Sequence, residues 1–529
     1  MAGSTSSSPI YDLLGLGFGP ANIAVAAAIT ESWSEPNFPI KNVLFIERHH
    51  VFRWHPGMLL PGAKMQISFM KDLATLRNPQ SPITFLNYLH SEGRLMKFIN
   101  RGGTIPTRKE FADYIGWCAR YVQNQGVAVQ WGTEVVGLDD GKDGTVHVHA
   151  KDLKTGEISI YRARNLIIAP GGGPGIPRTF ETIYKDPVVI HSSAYATSID
   201  SIFEQIGAST RPMRIAVVGA GQSAAEVTLN LHDRLSRITA PGGRHRVEMI
   251  IRHGAPRPSD DSPFANEIFD PESTDAWFSM PSAAARAAQR HEYKGTNYGV
   301  MNPNTIDTLY EVMYDQQFDE DISRRPDEKE GTHPLIVLRS YNNVLAASRA
   351  QDGSEVGPYV FTIQHAISGA ITTEKYDAVV CATGYQRTAW IDMLKGCDIG
   401  KHFGLDAHSD SSRTRLAPET DLYGLPPQMQ MSHGRSPDVS GDSSPISSSA
   451  SNTPPTSPSL SQISLPSPTI YVSRKYRLLP NRTASGEPAF KPRVYIQGVE
   501  EATHGLSDTL LSVMGIRAGE VVSDLVQEN

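Results

Sequence analysis

Three runs of apolar residues in this sequence lead directly into glycine-bearing turns. They occupy residues 10–14, 165–169 and 214–218. Short continuous runs rich in β-branched residues are typical of parallel strands buried on both faces. An alanine-rich helical stretch follows the first and the third run, as in a βαβ unit. The pattern predicts an α/β fold with two Rossmann-like, dinucleotide-type domains, one beginning near residue 10 and the other near residue 213.

The rest of the chain contains further strands and one stretch of very different composition. Residues 50–165 hold mixed segments expected to return to the first sheet, and residues 376–385 form another buried strand that ends at a glycine. Within residues 431–470, Ser and Pro occupy about half of the positions and aromatic residues are absent. Such a stretch buries too little apolar surface to offset its ordering entropy. We therefore expect a disordered surface insertion at 426–469, either an inert spacer or a phosphorylated regulatory loop.

Composition and charge exclude several classes of protein. The chain has 529 residues, a formal net charge of −7 and no long basic run, so nucleic-acid or anionic-membrane binding gains no support. No apolar stretch reaches the roughly 18 residues that span a bilayer. Three scattered cysteines fit neither a disulfide framework nor a metal site. The N-terminus resembles no secretory signal, so we expect a cytoplasmic protein.

The first glycine turn is a candidate pyrophosphate site. Gly15 and Gly17 occupy the first two positions of a G-x-G-x-x-G loop, in which backbone amides approach a pyrophosphate at a helix N-terminus. The sixth position is Pro20, and Gly19 stands just before it. Glu47 ends the next apolar strand, where a carboxylate accepts hydrogen bonds from a ribose diol. A loop insertion at residues 31–40 explains the long spacing to Glu47.

The third turn has the same design with a different strand tip. Gly219 and Gly221 are followed by Gln222 and Ser223, and the next strand ends at Arg252 with no acid at its tip. An arginine at this position suits the extra phosphate of NADP, whereas a carboxylate favours NAD. One site has an acidic residue at the end of its second strand and the other has a basic residue there. This combination predicts that the chain binds FAD together with NADPH.

The cysteines restrict what reduced FAD does next. A disulfide reductase needs a redox-active pair near the first domain, and Cys118 has no close partner in sequence. The other common fate of a flavin reduced by NADPH is reaction with O2. We therefore expect O2 as a co-substrate.

With these cofactors, the chain divides into five parts. We expect a disordered tail at 1–9, the first part of the FAD domain at 10–212, an NADPH domain at 213–375 with substrate-binding segments near 257–300, the insertion at 426–469, and a return to the FAD domain with closure of the active site at 376–425 and 470–529.

Longer motifs resemble one family. The segments GLGFGPAN (15–22), MQISFMKDL (65–73), GAGQSAAE (219–226), RPSDDSPF (257–264) and THGLSD (503–508), together with NEIF (266–269), NY (297–298) and ATGY (382–385), resemble the class B flavin N-hydroxylating monooxygenases. Within that family the fungal L-ornithine N5-monooxygenases of siderophore biosynthesis are most similar. The resemblance covers nearly all of residues 10–425 and 470–525. Cys381 stands where the family usually has Leu or Phe, which keeps an apolar side chain.

The resemblance implies roles for individual residues. Residues matching positions that bind the amino-acid substrate are Lys71, Asn266, Asn297, Leu506 and Ser507. Those expected to bind FAD are Gly15, Gly17, Gly19, Pro20, Glu47, Trp54, His55, Gln66 and Asp508. Those expected to bind NADP are Gly219, Gly221, Gln222, Ser223 and Arg252. Gln66 and Lys71 are also expected to take part in catalysis. No metal ion is expected.

The family's activity is hydroxylation of the side-chain amine of an amino acid through a C4a-hydroperoxyflavin, and the family resemblance implies a homotetramer. L-lysine remains an alternative substrate, since one methylene changes binding by only about 1–3 kcal/mol. A Baeyer–Villiger monooxygenase gains faint support from residues 191–195, although Lys185 and Pro187 replace the upstream Phe and Gly of that motif. A non-catalytic nucleotide-binding sensor is an alternative of another class.

Overall fold

The computed structural model describes residues 9–208, 210–239, 241–326, 333–350, 358–423, 468–482, 488 and 490–527. The predicted Ser/Pro-rich insertion and the predicted tail fall almost wholly outside these residues. Within them, no helix is both long and apolar enough to cross a bilayer.

The described strands are, in chain order, β1 (Ile10–Tyr11), β2 (Leu13–Leu16), β3 (Val43–Ile46), β4 (Ala128–Gln130), β5 (Thr133–Asp140), β6 (Val146–Asp152), β7 (Ile158–Ala163), β8 (Asn165–Ile168), β9 (Gly173–Pro174), β10 (Val189–His191), β11 (Arg214–Val218), β12 (Arg246–Ile250), β13 (Leu335–Arg339), β14 (Asn342–Arg349), β15 (Tyr359–His365), β16 (Ile371–Tyr376), β17 (Ala378–Cys381), β18 (Tyr385–Gln386), β19 (Arg415–Pro418), β20 (Thr469–Val472), β21 (Leu478–Leu479) and β22 (Arg493–Ile496).

The described α-helices are α1 (Pro20–Ser32), α2 (Phe85–Ser91), α3 (Leu95–Asn100), α4 (Arg108–Asn124), α5 (Tyr195–Ile206), α6 (Gln222–Leu235), α7 (Pro263–Glu267), α8 (Ser273–Phe278), α9 (Ala283–Asn297), α10 (Pro303–Ser323), α11 (Ala389–Lys395), α12 (Thr420–Tyr423), α13 (Glu501–His504) and α14 (Met514–Val526). Short 3-10 turns include Pro56–Met58, Leu506–Thr509 and Leu511–Val513.

Two five-stranded parallel sheets form the framework, so the predicted α/β class is confirmed. The first has the order β22-β8-β2-β3-β4 and the second the order β10-β17-β11-β12-β13. Every neighbouring pair in both sheets is parallel. Strands β2, β3 and β17 are buried along their whole length, as their unbroken apolar sequence predicts.

Helix α1 fills the interior beside the first sheet. Residues 22–29 are buried on every side, because α4 and α14 cover the faces of α1 that the sheet leaves open. An apolar residue pattern all around a helix is typical of such an enclosed position. The helix runs through Ser32 and includes Glu31, so the predicted loop insertion at 31–40 begins two residues too early.

Antiparallel sheets connect and flank the parallel ones. Strands β5, β6 and β7 form one meander with β1 at its edge, and β14, β15 and β16 form a second. Strand β19 pairs with β20 in parallel, and β20 pairs with β21. In the first meander, and between β15 and β16, short connections join neighbouring strands, as antiparallel pairing permits.

The second sheet extends beyond the predicted segment 213–375 on both sides. Strand β10 precedes residue 213, and β17 lies between β10 and β11 although residues 376–385 had been placed with the first sheet. The apolar sequence of a strand does not indicate which sheet the strand joins, so the pattern could not assign β17 to the second sheet. Strand β22 does return to the first sheet.

Candidate active site

The first glycine loop connects β2 to α1 at the carboxyl edge of the first sheet. A Cβ atom on Gly15 would lie 2.2 Å from a ring carbon of Phe45, and one on Gly17 would lie 2.6 Å from the carbonyl oxygen of Ala169. Gly17 also has a φ of +85°, which favours glycine. The space beside Gly19 is open to 4 Å, and Pro20 begins the helix. This loop fits a pyrophosphate approaching the helix N-terminus.

Glu47 lies just beyond β3, next to this loop. Its carboxylate accepts a hydrogen bond from the Phe18 backbone N–H at 2.8 Å and one from the His49 N–H at 2.9 Å. Each carboxylate oxygen has a second lone pair, so the side chain can still accept bonds from a ribose diol. The structure thus places Glu47 beside the glycine loop, and the ribose contact stays a prediction.

The second glycine loop connects β11 to α6. Gly219 has a φ of +146°, and a Cβ atom there would lie 2.2 Å from the carbonyl oxygen of Ala382. Gly221 caps α6, in which Gln222 and Ser223 are the first two residues. The loop therefore presents backbone N–H groups at a second helix N-terminus, as a second dinucleotide requires.

Arg252 follows β12 by two residues, beside the second loop. Its side chain is exposed and makes no ion pair with any residue in the described part of the chain. Glu248 lies within the same strand but is fully buried, where it forms ion pairs with Arg214 and Arg339. The cation nearest the strand tip is thus available to an anionic ligand, whereas the acid of this strand is not.

Gln222 has a different environment from the one that the motif suggests. Its side-chain N–H donates to Glu226 at 2.8 Å and to Thr305 at 2.9 Å, while its oxygen accepts from the Asn302 N–H at 2.8 Å. Both ends of the amide are therefore bonded to the protein. A direct bond from this amide to NADP stays a prediction, with these internal bonds as its competitors.

The residues predicted to bind the substrate come from separate elements. Lys71 is half-buried after a turn, Asn266 is exposed in α7, where it donates to the Asp261 carbonyl oxygen at 3.0 Å, and Asn297 is half-buried at the end of α9. No hydrogen bond among the described residues joins these three side chains. The backbone brings the segments of Asn266 and Asn297 together, since the Asp260 N–H donates to the Thr296 carbonyl at 3.3 Å.

Leu506 and Ser507 are almost fully buried in the turn Leu506–Thr509, which packs against α9. Gly505 precedes them with a φ of +97°, and a Cβ atom there would lie 2.7 Å from the Trp277 ring. Only glycine allows this approach. The turn is thereby fixed between α8 and the helix that ends at Asn297.

Asp508 belongs to a buried cluster rather than to an open surface. It is 2% exposed, accepts from the Glu500 N–H at 3.1 Å and forms an ion pair of 3.2 Å with Arg517. Burial is the largest single effect and opposes its ionisation, but the Arg517 charge and the hydrogen bonds to Glu500 and Arg517 act together and lower the pKa of Asp508. Burial raises the pKa of the neighbouring Glu500 carboxyl, and the Asp508 charge raises it further. Contact between Asp508 and a flavin stays a prediction.

An aromatic cluster surrounds His55. The His55 ring centroid lies 5.2 Å from that of Trp54 and 5.7 Å from that of Tyr385, which also lies 5.2 Å from His191. Desolvation lowers the pKa of His55, and the nearby Arg108 charge lowers it further. Gln66 is exposed, and its side chain makes no hydrogen bond to any residue that the structure describes.

Sequence reasoning did not assign Tyr385 and His191 to the site. His191 is fully buried and bonded to the Gly384 carbonyl at 2.9 Å, which fixes the turn that carries Tyr385. The ATGY motif containing Tyr385 was the available signal, but a motif alone does not reveal which ring faces which.

Comparison with known proteins assigns the family. Residues 9–387 match the family described as L-lysine 6-monooxygenase/L-ornithine 5-monooxygenase. The chain belongs to this family. An L-ornithine N(5)-monooxygenase of Coprinopsis cinerea is 51% identical to it over 540 residues, which cover 98% of this chain and 97% of the relative.

Solved structures of the lysine and ornithine monooxygenase family have the same fold. The ornithine hydroxylase of Pseudomonas aeruginosa is 31% identical with a TM-score of 0.72, covering 98% of this chain and 99% of that one. The ornithine N-hydroxylase of Kutzneria sp. 744, in a structure named for reduced FAD, NADP+ and L-ornithine, is 29% identical with a TM-score of 0.72 over the same shares.

Proposed function

We propose that this chain is a FAD- and NADPH-dependent monooxygenase that hydroxylates the side-chain amine of L-ornithine, the first step of hydroxamate siderophore biosynthesis. One observation carries the proposal: two parallel sheets each end at a glycine-bearing helix N-terminus, one beside the carboxylate of Glu47 and one beside the exposed cation of Arg252. The names of the relatives supply the substrate.

The first loop would hold FAD and the second NADPH. Gly15, Gly17 and Gly19 leave room for a pyrophosphate, and Glu47 would accept bonds from the adenosine ribose. At the second loop, Gly219 and Gly221 would serve the same purpose, with Arg252 on the 2′-phosphate. Bound FAD, once reduced by NADPH, supplies the chemistry that activates O2 for transfer of one oxygen atom.

Lys71, Asn266 and Asn297 would bind the two charged ends of the amino-acid backbone. A zwitterion in a dry pocket needs a cation for its carboxylate and polar groups for both ends, because unpaired desolvated charges are costly. Leu506 and Ser507 would exclude water from the reacting amine, since their turn is buried beside the helix that carries Asn297.

The reacting amine must be neutral when it attacks oxygen. A lysine-like amine with a pKa of about 10.4 is mostly protonated at neutral pH, so binding must favour loss of this proton. The length of the pocket decides between ornithine and lysine. The cytoplasmic location and the homotetramer implied by family resemblance stay predictions.

Substrate comparison tests the proposal. FAD-loaded protein is incubated with NADPH and O2 together with ornithine, lysine or putrescine, and NADPH oxidation is measured beside hydroxylated product. Ornithine should give nearly one product for each NADPH, and putrescine, which lacks the carboxylate, should be a poor substrate. A preference for lysine would show that lysine and not ornithine is the substrate. Absence of NADPH oxidation with every amine would favour a non-catalytic nucleotide sensor.

A further inference from the structure

An ion pair joins helices that belong to the two glycine-loop units. Arg108 begins α4, and Glu226 lies in the first turns of α6, 118 residues away. The guanidinium donates two parallel hydrogen bonds to the carboxylate, at 2.6 and 2.8 Å. The two side chains are only 16% and 10% exposed. Bidentate pairs of this kind fix geometry as well as adding energy.

Glu226 also connects to the segment that follows Asn297. It accepts from Gln222 at 2.8 Å, and Gln222 in turn holds the Asn302 N–H and the Thr305 hydroxyl. The Gln222 N–H donates to the Val300 carbonyl at 3.0 Å. One carboxylate is thus one end of a hydrogen-bonded chain that reaches the loop after α9.

Arg108 extends this hydrogen-bonded chain from Glu226 to the aromatic cluster. Its guanidinium donates to the Met58 carbonyl at 3.2 Å, in the turn that begins directly after His55. Its charge acts on both His55 and Tyr385, whose rings are in contact. The pair therefore lies where the first loop unit, the second loop unit and the substrate segment meet.

We propose that Glu226 is a positioning residue that holds the second glycine loop in register with the aromatic cluster around His55 and with the segment after Asn297. This inference rests on the proposed function, since it concerns transfer between the two bound dinucleotides. Glu226 acts through Arg108 and Gln222 rather than on a substrate. Small displacements of a bound reactant slow its reaction strongly, so the pair matters for rate and not only for stability.

A second ion pair offers a matched control. Arg77 donates to Glu31 with the same bidentate geometry, at 2.8 and 2.9 Å, and both side chains are 16% exposed. This pair lies wholly within the first unit, between α1 and the turn that follows Lys71. Loss of either pair should cost comparable stability, but only the Arg108–Glu226 pair spans the two loops.

The experiment compares Glu226→Gln and Arg108→Gln, singly and together, with Glu31→Gln. For each FAD-loaded variant, the rate of FAD reduction by NADPH without O2, the Kd of NADP+ by calorimetry, the ratio of product to NADPH and the Tm are measured. Glu226→Gln should slow FAD reduction by about tenfold and weaken NADP+ binding by a similar factor. The double variant should be no worse than the worse single variant, because the pair acts as one unit.

The control separates positioning from stability. Glu31→Gln should lower the Tm about as much as Glu226→Gln and leave reduction rate and NADP+ binding near those of the parent. Reduction and binding in Glu226→Gln that match Glu31→Gln would overturn the inference. Failure of the parent itself to oxidise NADPH or make product would instead count against the proposed function, while the calorimetric comparison would still test Glu226.

Discussion

Single glycines are the part of the candidate site that the sequence predicted most directly. Gly15, Gly17 and Gly219 each occupy positions where a Cβ atom would collide with a neighbour. The neighbours Phe45, Ala169 and Ala382 are distant in the sequence, but the G-x-G spacing after an apolar run marks each loop by itself. The bonds of Gln222 were not predictable in this way, because its partner Thr305 is 83 residues away. Glu226 lies within the GAGQSAAE motif, but its role was not predictable either, because its partner Arg108 is 118 residues away.

Lys71 provides the sharpest test of an amino-acid substrate. Lys71→Ala should raise the KM for ornithine about ten- to a hundredfold, because a charged hydrogen-bond partner is lost from a desolvated site. FAD reduction by NADPH should persist, so NADPH oxidation continues while hydrogen peroxide replaces product. Lys64→Ala, an exposed lysine of the same segment, is the control and should leave KM unchanged. A normal KM and normal coupling in Lys71→Ala would remove it from the site.

Arg252 decides the choice of coenzyme. Arg252→Ala should weaken binding of NADPH by about tenfold or more and leave NADH nearly unchanged, since only NADPH carries the 2′-phosphate. The KM values for both coenzymes measure this directly, and NADH is the internal control. Equal losses for the two coenzymes would show that Arg252 does not contact the 2′-phosphate.

At the scale of elements, unbroken apolar runs predicted strands well and sheet membership poorly. Strands β8 and β11 stand where the pattern put them, whereas the predicted run 10–14 divides into β1 and β2, and β2 continues through Gly15 to Leu16. Strand β17 was placed with the wrong sheet, because its neighbours β10 and β11 are chosen by tertiary packing. The strands of the two meanders lack an unbroken apolar run, and only the central strands β6 and β15 alternate between buried and half-buried residues, so the pattern gave no comparable signal there.

Helix α13 should make stability sensitive to acid. His504 is fully buried and stacked on Tyr476, and burial lowers the pKa of His504 to about 4. A histidine in the unfolded chain has a pKa of about 6.5, so the unfolded state binds the proton first as pH falls. The stabilising contribution is complete above about pH 6.5 and is lost progressively towards pH 4.

Thermal unfolding across this range measures the effect. The Tm should fall less steeply between pH 7 and pH 5 in His504→Gln than in the parent, whatever the difference in Tm at pH 7. His408→Gln, at an exposed histidine, is the control and should keep the parent slope. Parallel slopes for His504→Gln and the parent would contradict the assignment.

At the scale of the whole molecule, the Ser/Pro-rich composition predicts an expendable insertion. Residues 430–466 lie outside the described residues, between α12 and β20. Deleting them should leave the Tm within about 2 °C of the parent and should leave the rate of product formation unchanged. A large loss of either would mean that the segment packs on the protein.

As a member of its family, this chain transfers one oxygen atom from O2 to the side-chain amine of L-ornithine. The most direct measurement is mass spectrometry of the product formed by FAD-loaded protein with NADPH and L-ornithine under ¹⁸O2. We expect an N5-hydroxyornithine that carries one ¹⁸O atom, with no label when the isotope is supplied in water. NADPH oxidation that gives only hydrogen peroxide, or a product without ¹⁸O, would contradict it.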